Sequence, residues 1–480
     1  MKTVILLEAN EIPVRLVEDH VARRPDGNLA ALVERSRTWV TECEDELELD
    51  PWISWPTLHR GVTDSRHGIH HLGQSLETAD EKYPPVWRLL TEAGVDVGVF
   101  GSLHSSHVPP DAEQYAFYVP DYFAQEVYAH PASLLPFQQF NLVMTRRSAR
   151  NVDTGVPLEE TVRFLAGAAV NGLRPATVGR VLAQLADERR NPVRKIRRRN
   201  VQAEIGLDLF VRLLDRTRPQ LATFYTNHVA ASMHRYWAAH FPGDYPEDEA
   251  MPADWVERYA GEIPEAMEVF DRMLGRLMRW VESNRHTELV VVSSLGQAAV
   301  ETGETRGFTT VTDTARFMDF LGLDRSDWTE GHAMVPCISV DVRPDKVDEV
   351  VAKLEDLELM GSRAVRSANE VAPLSFDVKD GRSLHLYFYF EGDEPEGKVQ
   401  LDGRHEDLED AGFGFFVHED NVACSAHHVR EGILAVYDPA APEPTARWEP
   451  VSTLEVAPAL LRRFGVEVPD YMVQQPSLAL

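Results

Sequence analysis

Five short runs constrain this chain more than any other feature: Thr3–Leu7 (TVILL), Val95–Phe100 (VDVGVF), Gln220–Tyr225 (QLATFY), Glu288–Ser293 (ELVVVS) and Gly432–Tyr437 (GILAVY). Each is mostly apolar and rich in β-branched or aromatic residues, without the strict polar alternation of a strand that shows one face to water. Such runs read as strands buried on both faces, the kind found in the middle of a parallel sheet. Between them lie helical stretches. Asn28–Arg37 is amphipathic, Val86–Ala93 is stopped by Gly94, and Asp254–Asn284 carries Ile263, Met267, Phe270, Met273, Leu274 and Leu277 on one face. Pro264 lies inside the last stretch and predicts a kink or a division. The helix–Gly–strand rhythm is that of βαβ units, so the expected fold class is α/β.

The chain has 480 residues, too many for one simple core. Two blocks interrupt the βα rhythm. Residues 109–219 begin rich in proline and aromatics, then turn helical around Leu158–Gly167 and Ala176–Ala186, and carry a basic run at Arg189–Arg199 (RRNPVRKIRRR). This block reads as a helical insertion or cap, its basic run as a solvated face paired with acidic surface. Residues 335–400 read as strand–helix–strand–strand, a small α+β insertion. The α/β core is thus expected over 1–108, 220–334 and 401–480. Near the end, Ser452 with Glu455 three residues on predicts a capping box for a helix reaching Phe464.

Aspartate and glutamate number 77 against 48 lysines and arginines, a formal charge of −29. That surface should repel nucleic acid and anionic membranes, so neither is an expected partner. Cys43, Cys337 and Cys424 are far apart and form no CxxC, which points away from a disulfide framework and from a cysteine zinc site. The opening MKTVILLEANEIP has a short apolar run without a cleavage pattern, and no stretch approaches a membrane span. The cytoplasm is the expected location.

Candidate chemistry collects where strands end. Glu8 and Asn10 follow the first strand, Asn227 and His228 the third, and Ser294 and Gln297 the fourth. Loops converging on the carboxyl edge of a sheet are how α/β proteins build sites. Asp50–Gly73 (DPWISWPTLHRGVTDSRHGIHHLG) adds two tryptophans, several hydroxyls and four histidines in one span. Ser54 and Thr57 stand just ahead of a short helical segment ending at Gly61, and a helix N-terminus favours an anion beside a hydroxyl. The pair His427-His428 precedes the last buried run.

These residues carry a resemblance. In order along the chain, VILLEAN, SWPTLHRGVTDSRHGI, VWRLLTEAGVDVGVFG, NHVAASMHRYW, VVVSSLGQ, HHVREGILAVYDP and STLEVAPALLRRFGVEVPDYM resemble segments of the alkaline phosphatase superfamily, nearest its type I phosphodiesterase/nucleotide pyrophosphatase branch. The resemblance implies a mostly parallel sheet sandwiched by helices. It also implies two divalent metals, usually zinc, and cleavage of phosphate or sulfate esters through a covalent hydroxyl intermediate.

Several positions depart from the pattern. Glu8 stands at the first metal aspartate, Ala230 at the aspartate four residues before His234, and Ser294-Leu295 at an Asp-His pair. Leucine cannot bind a metal. The resemblance therefore implies a reduced or rearranged centre with one divalent metal, zinc first, two or none being the alternatives. Glu8, His234 and His428 would hold it, with Asn227 or His228. Ser54 or Thr57 would attack, and His59, His67, His70 and His71 would serve as acid, base or ligand. Asn10, Ser294 and Gln297 would bind a small phosphate, phosphodiester or sulfate ester. The alternative is a non-catalytic relative that binds a ligand or a partner protein.

Overall fold

The computed structural model describes residues 3–47, 49–70, 74–124, 127–149, 164, 167, 171–247, 251–300, 308–331, 333, 337–367, 373–379, 381–391, 397–416, 424–441 and 448–480. The strands that position the site are β1 (Thr3–Ala9), β2 (Arg37–Glu42), β3 (Val97–Phe100), β4 (Phe117–Val119), β5 (Leu221–Thr226), β6 (Thr287–Val292), β7 (Gly296–Ala299), β8 (Ala426–Val429), β9 (Glu431–Tyr437) and β10 (Glu449–Ser452). The helices around them are α1 (Pro51–Arg60), α2 (Arg198–Thr217), α3 (His228–His240), α4 (Glu262–Ser283) and α5 (Val456–Arg463).

Eight of these strands form one sheet in the order β10-β2-β9-β6-β1-β5-β3-β4. β9 runs antiparallel to β2 and β6, and every other neighbouring pair is parallel. Side chains alternate across β1. Ile5, Leu7 and Ala9 enter one apolar layer with Phe210, Phe224 and Phe270, whereas Val4 and Leu6 enter the other with Trp55, Trp87 and Leu460. Each fully buried aliphatic side chain contributes about 1.5–3 kcal/mol of hydrophobic stabilisation. Both faces are therefore covered by helices, α2 and α4 on the first and α1 and α5 on the second.

Register decides where the chain leaves the sheet. Glu8 stands level with Tyr225 of β5 and Val292 of β6. Asn10–Glu11, Asn227–His228 and Ser293–Ser294 consequently emerge side by side at one carboxyl edge, the ligand-binding edge of open α/β sheets. Gly432 lets β9 lie close beside this edge. A Cβ there would sit 2.6 Å from Thr41 Oγ1 and 2.8 Å from the carbonyls of Ser293 and Leu295.

Several local expectations change. The stretch with Pro264 is two helices, Ala253–Tyr259 and α4, and Pro264 falls in the first turn of α4, where its missing N–H has no intrahelical partner to lose. α1 begins at Pro51, earlier than expected, because Asp50 caps it by accepting from Trp52 N at 2.7 Å. Ser54 and Thr57 therefore lie inside the helix. Gly61 ends it at φ +63°. Pro56 cannot donate to the carbonyl of Trp52, and His104 Nε2 takes that carbonyl instead at 2.6 Å. Ser452 does cap the final turn, but Glu455 does not reach back to it. Its carboxylate instead ties the C-terminal tail, accepting from Ser477 Oγ at 2.7 Å and Leu478 N at 3.0 Å.

The insertions also differ in extent. β4 is an edge strand of the main sheet, and α2 buries Leu207, Phe210 and Leu214 in its first apolar layer, so much of 109–219 belongs to the core. Most of Leu158–Gly167 lies outside the described residues; Ala176–Ala186 falls within a helix, Pro175–Arg190. The basic run pairs internally, with Arg194 and Arg197 on Glu262 and Arg198 on Glu188. The small α+β unit has its own apolar core drawn from Val311 to Phe413, wider than 335–400. Among the described residues, no helix is long and apolar enough to cross a membrane.

Candidate functional site

The carboxylate at the centre of the edge is Glu11. It follows β1 in a turn with φ 60°, a left-handed conformation that costs a non-glycine residue about 1–2 kcal/mol. That cost is borne by a side chain that is 2% exposed and held on all sides. Glu11 Oε1 accepts from Asn10 Nδ2 at 2.5 Å. Oε2 accepts from Gln297 Nε2 and lies 2.9 Å from His234 Nε2 and 3.5 Å from His428 Nε2.

The two imidazoles are oriented by the backbone. His234, on α3, meets the carbonyl of Ala426 through Nδ1 at 2.9 Å, and His428, on β8, meets the carbonyl of Leu49 through Nδ1 at 2.6 Å. A carbonyl oxygen only accepts, so each Nδ1 carries a proton and each Nε2 is turned toward Glu11. β8 pairs with β7, which sets His428 opposite Gln297. One ligand atom from each of Glu11, His234 and His428 lies within 4.8 Å of the other two.

The electrostatics follow from this packing. Burial favours neutral Glu11, yet the charge and hydrogen bond of His234, with a smaller share from His428, hold its carboxyl well below the usual range. Burial likewise disfavours imidazolium, but Glu11 raises His234 well above its ordinary value and also raises His428. Without a cation, the cluster is an imidazolium–carboxylate group. With one, the same nitrogens and oxygen could serve as ligands. Histidine and carboxylate suit zinc and similar divalent ions, and an Nδ1–H tied to a carbonyl is how metal-binding imidazoles are commonly fixed. The residues present therefore fit one divalent cation.

The remaining candidates are distributed around this cluster. Asn227 Oδ1 accepts from Asn10 Nδ2 at 2.8 Å, so Asn227 reaches the cluster through Asn10. His228 does not join it: its Nδ1 bonds Thr226 Oγ1 at 2.7 Å, and burial pushes its pKa down to about 3. Glu8 does not join it either. As part of β1 it points with Val4 and Leu6 into the second apolar layer, where Oε1 meets His59 Nε2 at 2.8 Å. His59 is packed against Trp55 and Trp87, with ring centroids 5.4 and 4.6 Å away, and is a buried strut rather than a solvent-facing acid or base.

Ser54 and Thr57 separate. Ser54 Oγ and Ser294 Oγ are 2.8 Å apart, and both side chains are fully buried. Thr57 donates to Asp45 Oδ1 at 2.5 Å and meets His67 Nε2 at 2.9 Å. His67 Nδ1 accepts from Ile69 N at 3.0 Å, so Nε2 holds the proton and donates to Thr57. Burial, with the charge of Arg60, drives the His67 pKa down to about 3. His67 is a neutral donor and cannot take a proton from Thr57. His70 is fastened through its backbone to Gln74, and His71 lies outside the described residues.

Two residues escape the sequence reading. Asp45 had no signal beyond lying near the dense stretch. Glu11 had one: Ala230 removes a carboxylate beside His234, and a compensating acid was to be sought at a neighbouring strand end.

A family model described as Type I phosphodiesterase / nucleotide pyrophosphatase matches residues 38–387. No curated protein matches the chain. Among solved structures, human ectonucleotide pyrophosphatase / phosphodiesterase 5 aligns at 11% identity and a TM-score of 0.41, over 99% of this chain and 97% of that one. The murine protein aligns at 12% identity and a TM-score of 0.38, over 99% and 98%. An inactive form of the murine protein in complex with AMP aligns at 12% and 0.41, over 99% and 98%.

Proposed function

The chain belongs to the type I phosphodiesterase / nucleotide pyrophosphatase family of the alkaline phosphatase superfamily, and on that footing we propose that it is a metal-dependent hydrolase of a small phosphodiester or sulfate ester. The observation that carries the proposal is the pair of imidazoles, His234 and His428, whose Nδ1 protons are tied to backbone carbonyls while both Nε2 atoms converge with Glu11 Oε2. Glu11 takes the part left vacant by Ala230. Glu11, His234 and His428 would hold one divalent ion, zinc first, which supplies Lewis-acid polarisation of the ester's non-bridging oxygen.

The protein's own groups do the rest. Ser54 is the hydroxyl assigned to attack, because Thr57 has committed its proton to Asp45 and one lone pair to His67. Ser54 Oγ would form the new bond to phosphorus or sulfur while the ester's alcohol leaves with the hydroxyl's proton, and water would then release the Ser54 ester; Ser294 Oγ, 2.8 Å away, holds Ser54 Oγ in direction. Asn10 and Gln297 donate to Glu11 and hold it in place, Asn227 accepts from Asn10, and the exposed Asn227 supplies its amide to the substrate.

The test is hydrolysis of bis-p-nitrophenyl phosphate and p-nitrophenyl sulfate by purified protein, with and without chelator. Turnover that vanishes with chelator and returns with zinc supports the reading. A second reading, a non-catalytic binding protein, draws on the buried Leu295; it is favoured if the protein holds zinc yet cleaves neither ester.

A further inference from the structure

The family resemblance implies two metals, and a second corner of this site does not suit one. That corner is built from the residues at the first aspartate, the hydroxyl and the Asp-His pair. Here Glu8 is turned into the second apolar layer onto His59. Asn10 is a neutral amide whose Oδ1 is occupied by Trp55 Nε1 at 2.7 Å and whose Nδ2 is shared between Glu11 and Asn227. Ser294 and Leu295 are both fully buried. Among the described residues, the side-chain partner of Ser54 Oγ is Ser294 Oγ, and no carboxylate or imidazole bonds to either. A divalent cation placed there would be desolvated without an anionic ligand to replace its water, which is strongly unfavourable.

We infer that this chain carries one divalent cation, not two, and that the uncharged Ser54–Ser294 pair stands where the second would be. The missing ligand charge is what excludes the cation. Ser294 is then a positioning residue. It fixes the direction of Ser54 Oγ by a hydrogen bond, where a metal would otherwise do so. The inference rests on the metal reading of Glu11, His234 and His428 given above.

The test counts metal rather than turnover. Full-length protein is stripped with chelator, reloaded with zinc or cobalt, desalted and analysed for metal per chain, with the cobalt absorption spectrum as a second readout. The wild type is expected to hold one equivalent, and Ser54→Ala also one. Glu11→Gln is expected to lose it. Ser294→Asp/Leu295→His, which restores a carboxylate and an imidazole, is expected to bind a second equivalent with a new cobalt band. Ser294→Asp alone is expected to bind a second equivalent more weakly, and it serves if the double variant does not fold. Two equivalents in the wild type overturn the inference while leaving the hydrolase reading intact, and so does loss of metal in Ser54→Ala. A folded rebuilt variant that stays at one equivalent also overturns it, since shape would then be the barrier. No metal in the wild type overturns the metal reading itself.

Discussion

Replacing Glu11 by glutamine keeps the shape of the side chain and removes its charge. In the metal-free protein the carboxylate lies 2.9 Å from His234 Nε2 and 3.5 Å from His428 Nε2, so one charge-assisted contact is lost and a longer one weakened. A hydrogen bond to a charged group contributes about 1.5–3 kcal/mol. His234 keeps 30% side-chain exposure and remains partly hydrated, which places the expected loss near the lower end, about 2 kcal/mol. The loss depends on pH. Glu11 raises His234 and His428, so their share is fully present below an unfolded pKa of about 6.5 and is lost as pH rises through the raised folded values. Glu11 itself is depressed, so its share is present above an unfolded pKa of about 4.3 and lost as pH falls through the folded value. Urea denaturation of chelator-treated protein at pH 6 and pH 10 measures this. The difference between wild type and variant should be large at pH 6 and shrink at pH 10. Equal differences at both, or none at pH 6, refute the imidazolium–carboxylate account.

Further outcomes follow from the same geometry. Ser54→Ala should cut ester hydrolysis by about 10³-fold or more while leaving metal content unchanged; an unchanged rate removes Ser54 from the chemistry. Thr57→Val should instead lower stability by about 1–3 kcal/mol in urea denaturation, by stripping a buried donor from Asp45. Activity per folded molecule should persist, and its loss would return Thr57 to the reaction. His59→Leu leaves buried Glu8 Oε1 without its hydrogen-bond partner and should cost about 1–3 kcal/mol, whereas Glu8→Leu/His59→Leu should recover most of that; a double variant no more stable than the single one contradicts the strut. Zinc affinity, by competition titration, should rise with pH up through the raised values of His234 and His428 as metal displaces imidazole protons. A pH-independent affinity argues against histidine ligands.

Strands buried on both faces are readable because most of their positions must be apolar, and the runs now seen as β1, β3, β5, β6 and β9 are mostly apolar, with Glu8 and Glu288 as buried charged exceptions. His234 and His428 are readable from spacing, since one lies on a helix after a strand and the other four residues before Gly432. The carboxylate between them was not. Glu8 and Glu11 look equivalent in VILLEANE, but Glu8 is still in the strand and its alternation sends it to His59. Glu11 has left the strand through a left-handed turn and faces the edge. Which of two acids reaches a site depends on where pairing stops, and strand ends are weakly encoded. The choice between Ser54 and Thr57 was unreadable for a similar reason. It turns on Asp45 and His67, whose approach to α1 is a tertiary fact. Glu455 shows that a local motif can be outcompeted, here by a tail segment 22 residues away.

The most direct measurement of the central claim is anomalous diffraction at the zinc edge from crystals of zinc-loaded protein. A single peak about 2.0–2.2 Å from Glu11 Oε2 and from Nε2 of both His234 and His428 is the predicted result. A peak on Glu8 and His59, or no peak at Glu11 in crystals that contain zinc, would contradict the account.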